Sequence, residues 1–162
     1  MKIGVYPGSF DPFTVGHLDV LRNAVELFDH IYVGVLNNSA KSATFSAEER
    51  VEMIRRVLDA ERMTGVSVES FDGLLVNFTK QVGAGYIIRG LRAITDFEYE
   101  FQIDAINRHM EPAVRTVYFM ASPSLSFLSS STVKEIGAYG GDIAGLVPDC
   151  NRKIIAERLL RS

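Results

Sequence analysis

The sequence has no tryptophan, only one cysteine and no long hydrophobic run. Because a single cysteine, Cys150, cannot form an internal disulfide, we expect a reducing, cytoplasmic environment. No apolar stretch approaches the ~18 residues that span a bilayer, and the N-terminus lacks the basic and apolar regions of a signal peptide. These absences predict an ordinary globular protein that is neither secreted nor inserted in a membrane.

Two common nucleotide-binding motifs are also missing. No G-x-G-x-x-G follows the first predicted strand, which opposes a dinucleotide-binding dehydrogenase, and no G-x-x-x-x-G-K-[ST] marks a P-loop enzyme. The formal net charge of −3 opposes a general nucleic-acid-binding protein, which would carry a basic face. A small anionic ligand remains compatible with this charge, since a few local basic groups can bind it.

Short apolar, β-branched runs alternate with segments of helical periodicity along the chain. The runs predict five buried strands, at Ile3–Tyr6, Ile31–Leu36, Val66–Val68, Tyr86–Ile88 and Thr116–Met120. Such alternation is typical of an α/β fold: a doubly wound, five-stranded parallel sheet with helices on both faces. Without a linker, repeat or low-complexity tract, residues 1–162 are expected to form a single domain.

The helices between these strands are marked by periodicity and by caps. Leu18 and Leu21 begin an apolar stripe of the first helix, and residues 74–82 predict a short third helix. Ser46 with Glu49 predicts a capping box for the second helix, and Thr95 with Glu98 predicts another for a helix ending near Met110. Two further helices are expected over residues 129–139 and 149–160, the second after Pro148.

Four stretches with polar or glycine-rich composition fall at the carboxyl ends of predicted strands. They cover residues 7–17, 37–45, 89–92 and 122–131. The carboxyl ends of parallel strands meet at one edge of the sheet, and open α/β sheets bind their ligands at that edge. We therefore expect one ligand site built from all four stretches.

The stretch after the first strand has the chemistry of an anion site. Gly8 lets a ligand approach the backbone, and the helix that starts near Gly16 and His17 offers unpaired amide groups to a phosphate. Ser9 and Thr14 add hydroxyl groups, and His17 adds a side-chain donor. The alternative is that these residues only form a turn and a helix cap.

Longer strings around these positions resemble a known family. "GSFDPFTVGH", residues 8–17, resembles the T/H-x-G-H signature of nucleotidyltransferases. "RGLRAITDFEYE", residues 89–100, and "SFLSSSTVKE", residues 126–135, resemble the phosphopantetheine adenylyltransferase family. The resemblance extends from Tyr6 to about residue 148. It implies a Rossmann-like nucleotidyltransferase fold and transfer of the adenylyl group of ATP to 4′-phosphopantetheine, which gives dephospho-coenzyme A and pyrophosphate.

The resemblance also implies roles for individual residues. His17 would stabilise the transition state, and 4′-phosphopantetheine would be bound by Ser9, Lys41, Leu75 and Arg89. ATP would be bound by Ser9, Phe10, His17, Gly90, Leu91, Arg92, Glu100, Leu125, Ser126, Phe127, Leu128, Ser129, Ser130 and Ser131. Mg²⁺ would be held through the phosphates of ATP, without protein ligands of its own. A homohexamer and feedback binding of coenzyme A are further implications of the family.

Several of these assignments have plain structural alternatives. Arg89 and Arg92 could be surface arginines bonded to the acids that follow them, and the three serines could only cap a helix. Leu125 stands where relatives often have an aromatic residue, so an apolar wall is the alternative to stacking on a base. Leu74 and Val76 are near-equivalent neighbours of Leu75 for contact with the pantetheine arm.

Two other functions fit part of the pattern. A nicotinamide or nicotinate mononucleotide adenylyltransferase has a similar start and a late serine/threonine pair, but normally lacks the "RGLR…DFEYE" string. A non-catalytic nucleotide-binding regulator could use the same scaffold. For the enzyme, no protein nucleophile is apparent, so direct in-line attack without a covalent intermediate is expected.

Overall fold

A computed structural model describes residues 1–38 and 42–161. Its single sheet has five parallel strands in the order β3-β2-β1-β4-β5, which confirms the predicted sheet. The strands are β1 (Ile3–Gly8), β2 (His30–Leu36), β3 (Val66–Phe71), β4 (Tyr86–Leu91) and β5 (Arg115–Met120). Most run beyond the apolar residues that predict them. Gly8 ends β1 and Arg89 lies within β4, because backbone pairing continues where the side chains turn polar.

Six α-helices of the described residues connect and cover the strands. They are α1 (Val15–Ala24), α2 (Ala47–Ala60), α3 (Leu75–Val82), α4 (Ile94–Met110), α5 (Ser130–Ala138) and α6 (Asp149–Leu160). A single 3₁₀ turn, Pro123–Leu125, precedes α5. Within residues 1–38 and 42–161, every helix is too short or too polar to pass through a bilayer.

The helices pack on both faces of the sheet because neighbouring strand residues point to opposite sides. Tyr6 belongs to a core cluster with Leu21 of α1 and Ile54 of α2. Its neighbour Val5 belongs to a separate cluster with Phe78 of α3. A third cluster joins α5 and α6 to α2. One face is therefore covered by α1 and α2, and the other by α3.

The sheet opens at the point where the strand order reverses. β1 pairs with β4 at only two positions, Gly4 with Tyr86 and Val5 with Ile87. On the outer sides, β1 stays paired with β2 up to Gly8, and β4 stays paired with β5 up to Leu91. The carboxyl ends of β1 and β4 therefore separate, which creates the crevice where open α/β sheets bind ligands.

The start of α4 differs from the prediction. Instead of a Thr95 and Glu98 capping box, the helix begins at Ile94, with Ala93 at the N-cap. The Asp96 carboxylate accepts a hydrogen bond from the Ala93 amide at 3.3 Å and so performs the reach-back half of a capping box. The Asp96 carboxylate accepts from the amides of both Arg92 and Ala93, and this fixes the start of the helix before Thr95. Thr95 therefore lies inside the first turn and does not cap it.

Candidate active site

Two adjoining cavities lie at the opened edge of the sheet. The first, of about 260 Å³, is called here the His17 cavity, and the second, of about 340 Å³, the Tyr118 cavity. The His17 cavity is lined by residues of three of the four predicted stretches, including Phe10, Thr14, His17, Gly90, Arg92, Leu125, Leu128, Ser129 and Ser130. The Tyr118 cavity is lined by residues that include Ser9, Leu36, Leu75, Tyr99, Asn107, Thr116 and Tyr118. Pro7, Gly8, Arg89 and Glu100 line both cavities.

His17 is held by the N-terminal cap of α1. The Thr14 hydroxyl accepts a hydrogen bond from the His17 amide at 3.3 Å, and the Thr14 amide donates to His17 Nδ1 at 2.9 Å. Because Nδ1 accepts this bond, the neutral ring carries its proton on Nε2. His17 therefore presents a fixed N–H donor, and its capping role and its position in the cavity are compatible rather than alternatives.

The imidazole of His17 is neutral near pH 7. Burial, then the positive charges of Arg92 and Arg89, lower its pKa from 6.5 to about 4. Phe10 and Phe13 flank the ring, with ring centroids 5.0 Å and 5.4 Å from its own. These aromatic neighbours supply the apolar surroundings that disfavour the imidazolium.

A titration of the ligand-free protein tests this assignment. We expect the ¹⁵N NMR signals of His17 to show the Nε2–H tautomer and no protonation between pH 7.5 and 5. Below pH 6.5 the unfolded chain takes up a proton at His17 that the folded chain does not bind, so the free energy of unfolding should fall towards pH 4. A His17→Gln variant should lose less stability over that window. Protonation near pH 6.5 would contradict the lowered pKa.

Arg89 forms a buried ion pair on the wall shared by the two cavities. Its Nε and Nη2 donate to the carboxylate of Glu100, with the shortest contact at 2.5 Å, and its Nη1 donates to the Pro7 carbonyl at 3.2 Å. Glu100 is only 6% exposed. A guanidinium has five N–H groups, so this pairing leaves Arg89 with donors for a ligand. The prediction that acids following the arginines could bind them is confirmed here, and Arg89 nevertheless lines both cavities.

Arg92 links the loop after β4 to the start of α5. Its Nη1 donates to the Leu128 carbonyl at 2.8 Å, and its Nε donates to Asp96 at 3.3 Å. Ser129 caps α5 by accepting from the Thr132 amide, and the Ser130 hydroxyl donates to the Pro12 carbonyl at 2.7 Å. The α5 N-terminus therefore lies beside a guanidinium, an arrangement that suits an anion.

Two glycines allow close packing around the crevice. A Cβ on Gly8 would approach the buried ring of Phe10 to 2.9 Å, and a Cβ on Gly90 would approach Val20 of α1 to 2.9 Å. Phe10 itself has a positive φ of 50° and a ring 2% exposed. A side chain at either position would collide with this packing, so glycine is needed at both of these cavity-lining positions.

Helix α4 turns a polar side towards the Tyr118 cavity. Glu100, Ile103, Asp104 and Asn107, spaced at one helical face, all line it. Apart from Ile103, which also lines the cavity, the large apolar residues in this part of the helix are exposed: Ile94, Phe97, Phe101 and Ile106 are 52–82% exposed. The spacing of Phe97 and Phe101 predicts packing against the sheet or against another subunit. Their exposure rules out the sheet, because the inward side of the helix is occupied by residues that line the cavity.

A buried carboxylate joins three elements behind the His17 cavity. Asp11, 5% exposed, accepts from the amides of Thr44 and Phe45 at 2.9 Å each. Lys134 of α5 donates to the same carboxylate at 3.0 Å. Asp11 therefore ties the loop after β1 to the backbone before α2 and to the side chain of Lys134 on α5.

Not all residues implied by the resemblance reach the cavities. Leu75 lines the Tyr118 cavity, whereas its neighbours Leu74 and Val76 do not. Leu125 forms part of the apolar wall of the His17 cavity. Lys41 falls outside the described residues. Neither cavity is lined by Leu91, Ser126, Phe127 or Ser131.

Sequence reasoning missed residues that reach the site from distant elements. Thr116 and Tyr118 of β5 are two positions apart, so they point to the same side of the sheet. Asn107 lies seven residues after Glu100, which places both on the same side of α4. These spacings are the signals that could have identified them. Arg50 of α2, fully buried, stands in register with the apolar positions Ile54 and Val57. An arginine within the apolar stripe of a helix is the sequence signal that could have identified this residue as buried and functionally relevant.

The chain is similar to known proteins both in sequence and in fold. The cytidylyltransferase-like family model matches residues 5–136. The phosphopantetheine adenylyltransferase of Lachnoclostridium phytofermentans is 50% identical over 158 residues, which cover 98% of this chain and 96% of the relative. That of Geobacter sulfurreducens is 50% identical over 157 residues, covering 97% and 94%.

A solved structure has the same fold at low sequence identity. The crystal structure of a Vibrio parahaemolyticus protein, described as a candidate nicotinate-nucleotide adenylyltransferase, superposes with a TM-score of 0.67 at 15% identity. It covers 99% of this chain and 93% of the other. This likeness concerns the nucleotidyltransferase-like fold alone. Since relatives about half identical over nearly their whole length carry one family name, this chain belongs to the phosphopantetheine adenylyltransferase family.

Proposed function

We propose that this chain transfers the adenylyl group of ATP to 4′-phosphopantetheine and releases pyrophosphate, a step of coenzyme A biosynthesis. The observation that carries the proposal is the pair of cavities that share Gly8 and Arg89. Two substrates seated side by side would meet at this shared wall. The family membership supplies the identity of the substrates, since the relatives are named for this reaction.

The chemistry needs no group covalently attached to the protein. An oxygen of the phosphate of 4′-phosphopantetheine attacks the α-phosphorus of ATP, a new P–O bond forms, and the bond to the β-phosphate oxygen breaks with its electrons leaving on pyrophosphate. The nucleophile is thus supplied by the substrate. The only cysteine, Cys150, is exposed and lines neither cavity, which supports direct transfer.

In this mechanism the His17 cavity receives ATP. The neutral imidazole donates from Nε2 to an oxygen of the α-phosphate, where negative charge grows in the transition state. Arg92 and the α5 N-terminus at Ser129 and Ser130 hold the remaining phosphates, since guanidinium groups and helix N-termini both favour anions. The apolar side chains of Leu125 and Leu128 offer a wall to the base.

The Tyr118 cavity receives 4′-phosphopantetheine in this mechanism. Its phosphate binds where Ser9 and Arg89 approach the shared wall, and Lys41 would add a second positive charge. Leu75 contacts the pantetheine arm, and the polar side of α4 offers partners to its amides. Glu100, implied by the family as an ATP contact, also holds the Arg89 guanidinium through its bidentate bond.

Charge balance supports a role for magnesium. Arg89, Arg92 and Lys134 each pair with a carboxylate, so these three residues bring little net positive charge to a polyphosphate. No cluster of three metal-ligating side chains occurs in the part of the chain that the structure describes. We therefore propose that Mg²⁺ arrives with ATP, held by its phosphates and water, and neutralises their charge.

A pyrophosphate assay tests the function. We expect release from ATP with 4′-phosphopantetheine, and none above background with nicotinamide mononucleotide, nicotinate mononucleotide or no acceptor. Mass spectrometry should find dephospho-coenzyme A in equal amount to pyrophosphate. Pyrophosphate release from ATP with a mononucleotide but not with 4′-phosphopantetheine would indicate the rival adenylyltransferase. Binding of ATP without pyrophosphate release in any mixture would indicate a non-catalytic regulator.

The exposed side of α4 supports self-association, and a homohexamer is the assembly that the family implies. Ile94, Phe97 and Phe101 of α4 are exposed by 82%, 52% and 64%, and Met120 of β5 is exposed by 72%. Large apolar patches of this kind on a folded protein mark interaction surfaces. A second copy would cover them without disturbing the cavity side of the helix.

Charge substitution on this surface should separate the copies. In a Phe101→Glu variant we expect sedimentation velocity to show a smaller species than the wild type, because the buried carboxylate would lack a partner. Leu27→Glu, on another exposed apolar residue, is the matched control and should leave the mass unchanged. A wild-type chain that sediments as a monomer would contradict the assembly.

We also propose that coenzyme A inhibits the enzyme by binding at the active site, and that the enzyme is located in the cytoplasm. Coenzyme A carries both an adenine nucleotide and a pantetheine arm, so a single molecule could fill the two adjoining cavities. It should therefore compete with both substrates. The single cysteine supports a reducing compartment.

A further inference from the structure

Arg50 of α2 is a buried charge with an unusual set of partners. It is 3% exposed, and its Nη1 donates to the carbonyls of Ser9 at 2.6 Å and Leu36 at 3.0 Å. Its Nε donates to the carbonyls of Phe45 at 3.1 Å and Ser46 at 3.3 Å. All four acceptors are backbone oxygens. Among the described residues, no carboxylate forms an ion pair with this guanidinium.

A buried arginine without an acidic partner is costly, since carbonyl dipoles replace only part of the lost hydration. Three other basic residues near the cavities, Arg89, Arg92 and Lys134, each have a carboxylate partner. Arg50 therefore keeps its full positive charge inside the protein. Screening is weak there, so the charge acts over several ångströms.

The position of Arg50 relates this charge to one cavity. Ser9 and Leu36 both line the Tyr118 cavity, and neither lines the His17 cavity. The guanidinium bonds the backbone of both residues from behind the cavity wall. It also joins the loop after β1 to the end of β2 and to the start of α2, so it fixes the spacing of three segments.

We propose that Arg50 is a positioning residue for the phosphate of 4′-phosphopantetheine. It holds Ser9 in the wall of the Tyr118 cavity, and its unpaired positive charge lies behind that wall and attracts the phosphate. The inference rests on the proposed function, because it takes this cavity as the 4′-phosphopantetheine side. It assigns no direct contact between Arg50 and a substrate.

Two substitutions separate the charge of Arg50 from its geometry. Arg50→Met keeps the length of the side chain and removes the charge, whereas Arg50→Lys keeps the charge and removes the planar fork. For Arg50→Met we expect the KM for 4′-phosphopantetheine, at saturating ATP, to rise about 30-fold or more. For Arg50→Lys we expect a rise of about fivefold. The KM for ATP should stay within about threefold in both variants.

Arg158→Met is the matched control. Arg158 donates to the carbonyl of Thr44, next to the Phe45 carbonyl that Arg50 binds, but its charge is paired with Glu49 at 2.5 Å. This variant should change both KM values by less than about threefold. Circular dichroism and urea unfolding check that each variant is folded. If Arg50→Met does not fold, Arg50→Lys carries the test with the same two KM values.

Three results would overturn the inference. Equal rises of both KM values would show that Arg50 has only a structural role. An unchanged KM for 4′-phosphopantetheine would show that Arg50 does not contribute to binding of this substrate. If Arg50→Lys raised the KM for 4′-phosphopantetheine as much as Arg50→Met does, the positive charge would have no part in binding the phosphate. Failure of the proposed function is distinct, because then the wild-type chain itself would form no dephospho-coenzyme A.

Discussion

Replacing His17 by alanine should lower kcat by about 100-fold or more, while the Kd for ATP changes by less than about threefold. The neutral imidazole donates from Nε2 to the α-phosphate, and that bond strengthens as charge grows on the oxygen in the transition state. Loss of such a donor removes transition-state stabilisation with little effect on ground-state binding. Steady-state kinetics and calorimetry with ATP measure the two quantities.

A second variant separates chemistry from helix capping. His17 accepts the Thr14 amide at the start of α1, so alanine also weakens the cap, at a cost of about 1 kcal/mol. Glutamine at this position can reach back to the same amide. His17→Gln should therefore keep its stability and still show the loss in kcat. If glutamine restores turnover, the imidazole ring itself is not required, since the glutamine amide can both accept the Thr14 amide and donate a hydrogen bond.

Replacing Arg89 by methionine should raise the KM for 4′-phosphopantetheine by about 30-fold or more, with a smaller rise for ATP. Arg89 lies on the wall between the cavities, and its remaining N–H donors suit the attacking phosphate. The same change leaves the buried Glu100 carboxylate without its partner, which should destabilise the fold by about 3–5 kcal/mol. Kinetics at saturating ATP and urea unfolding measure these effects.

The double variant Arg89→Met with Glu100→Gln is the control for stability. It removes both charges, so no buried carboxylate is left unpaired and most of the lost free energy of unfolding should return. The KM for 4′-phosphopantetheine should remain raised. Recovery of both stability and KM in the double variant would show that Arg89 only supports the fold.

The predictable parts of the molecule are those encoded locally. The turn at residues 8–17 and the capping box of Ser46 with Glu49 depend on residues within a few positions of each other, and both are present. The start of α4 was misplaced because two competing caps, Thr95 with Glu98 and Asp96 with Ala93, differ only in the path of the preceding loop. The carboxyl ends of β1 and β4 also extend beyond their apolar runs.

The inward side of α4 was not predictable in the same way. Its apolar residues Phe97 and Phe101 have the spacing of a helix that packs on a sheet, yet they face outward. Glu100 and Asn107 lie inward, where they line the Tyr118 cavity together with Arg89. Periodicity identifies an apolar side, but it does not tell whether that side meets the sheet or a second molecule.

The order of strands and helices, the motifs at the strand ends and the family can be read from residues that lie close together along the chain. Only the folded chain shows that two cavities share Arg89, that His17 is neutral with its proton on Nε2, and that Arg50 is buried with no carboxylate partner among the described residues. The physical reason is that burial and ion pairing depend on the strand order 3-2-1-4-5, which brings residues 40 or more positions apart into contact. No local pattern carries that information.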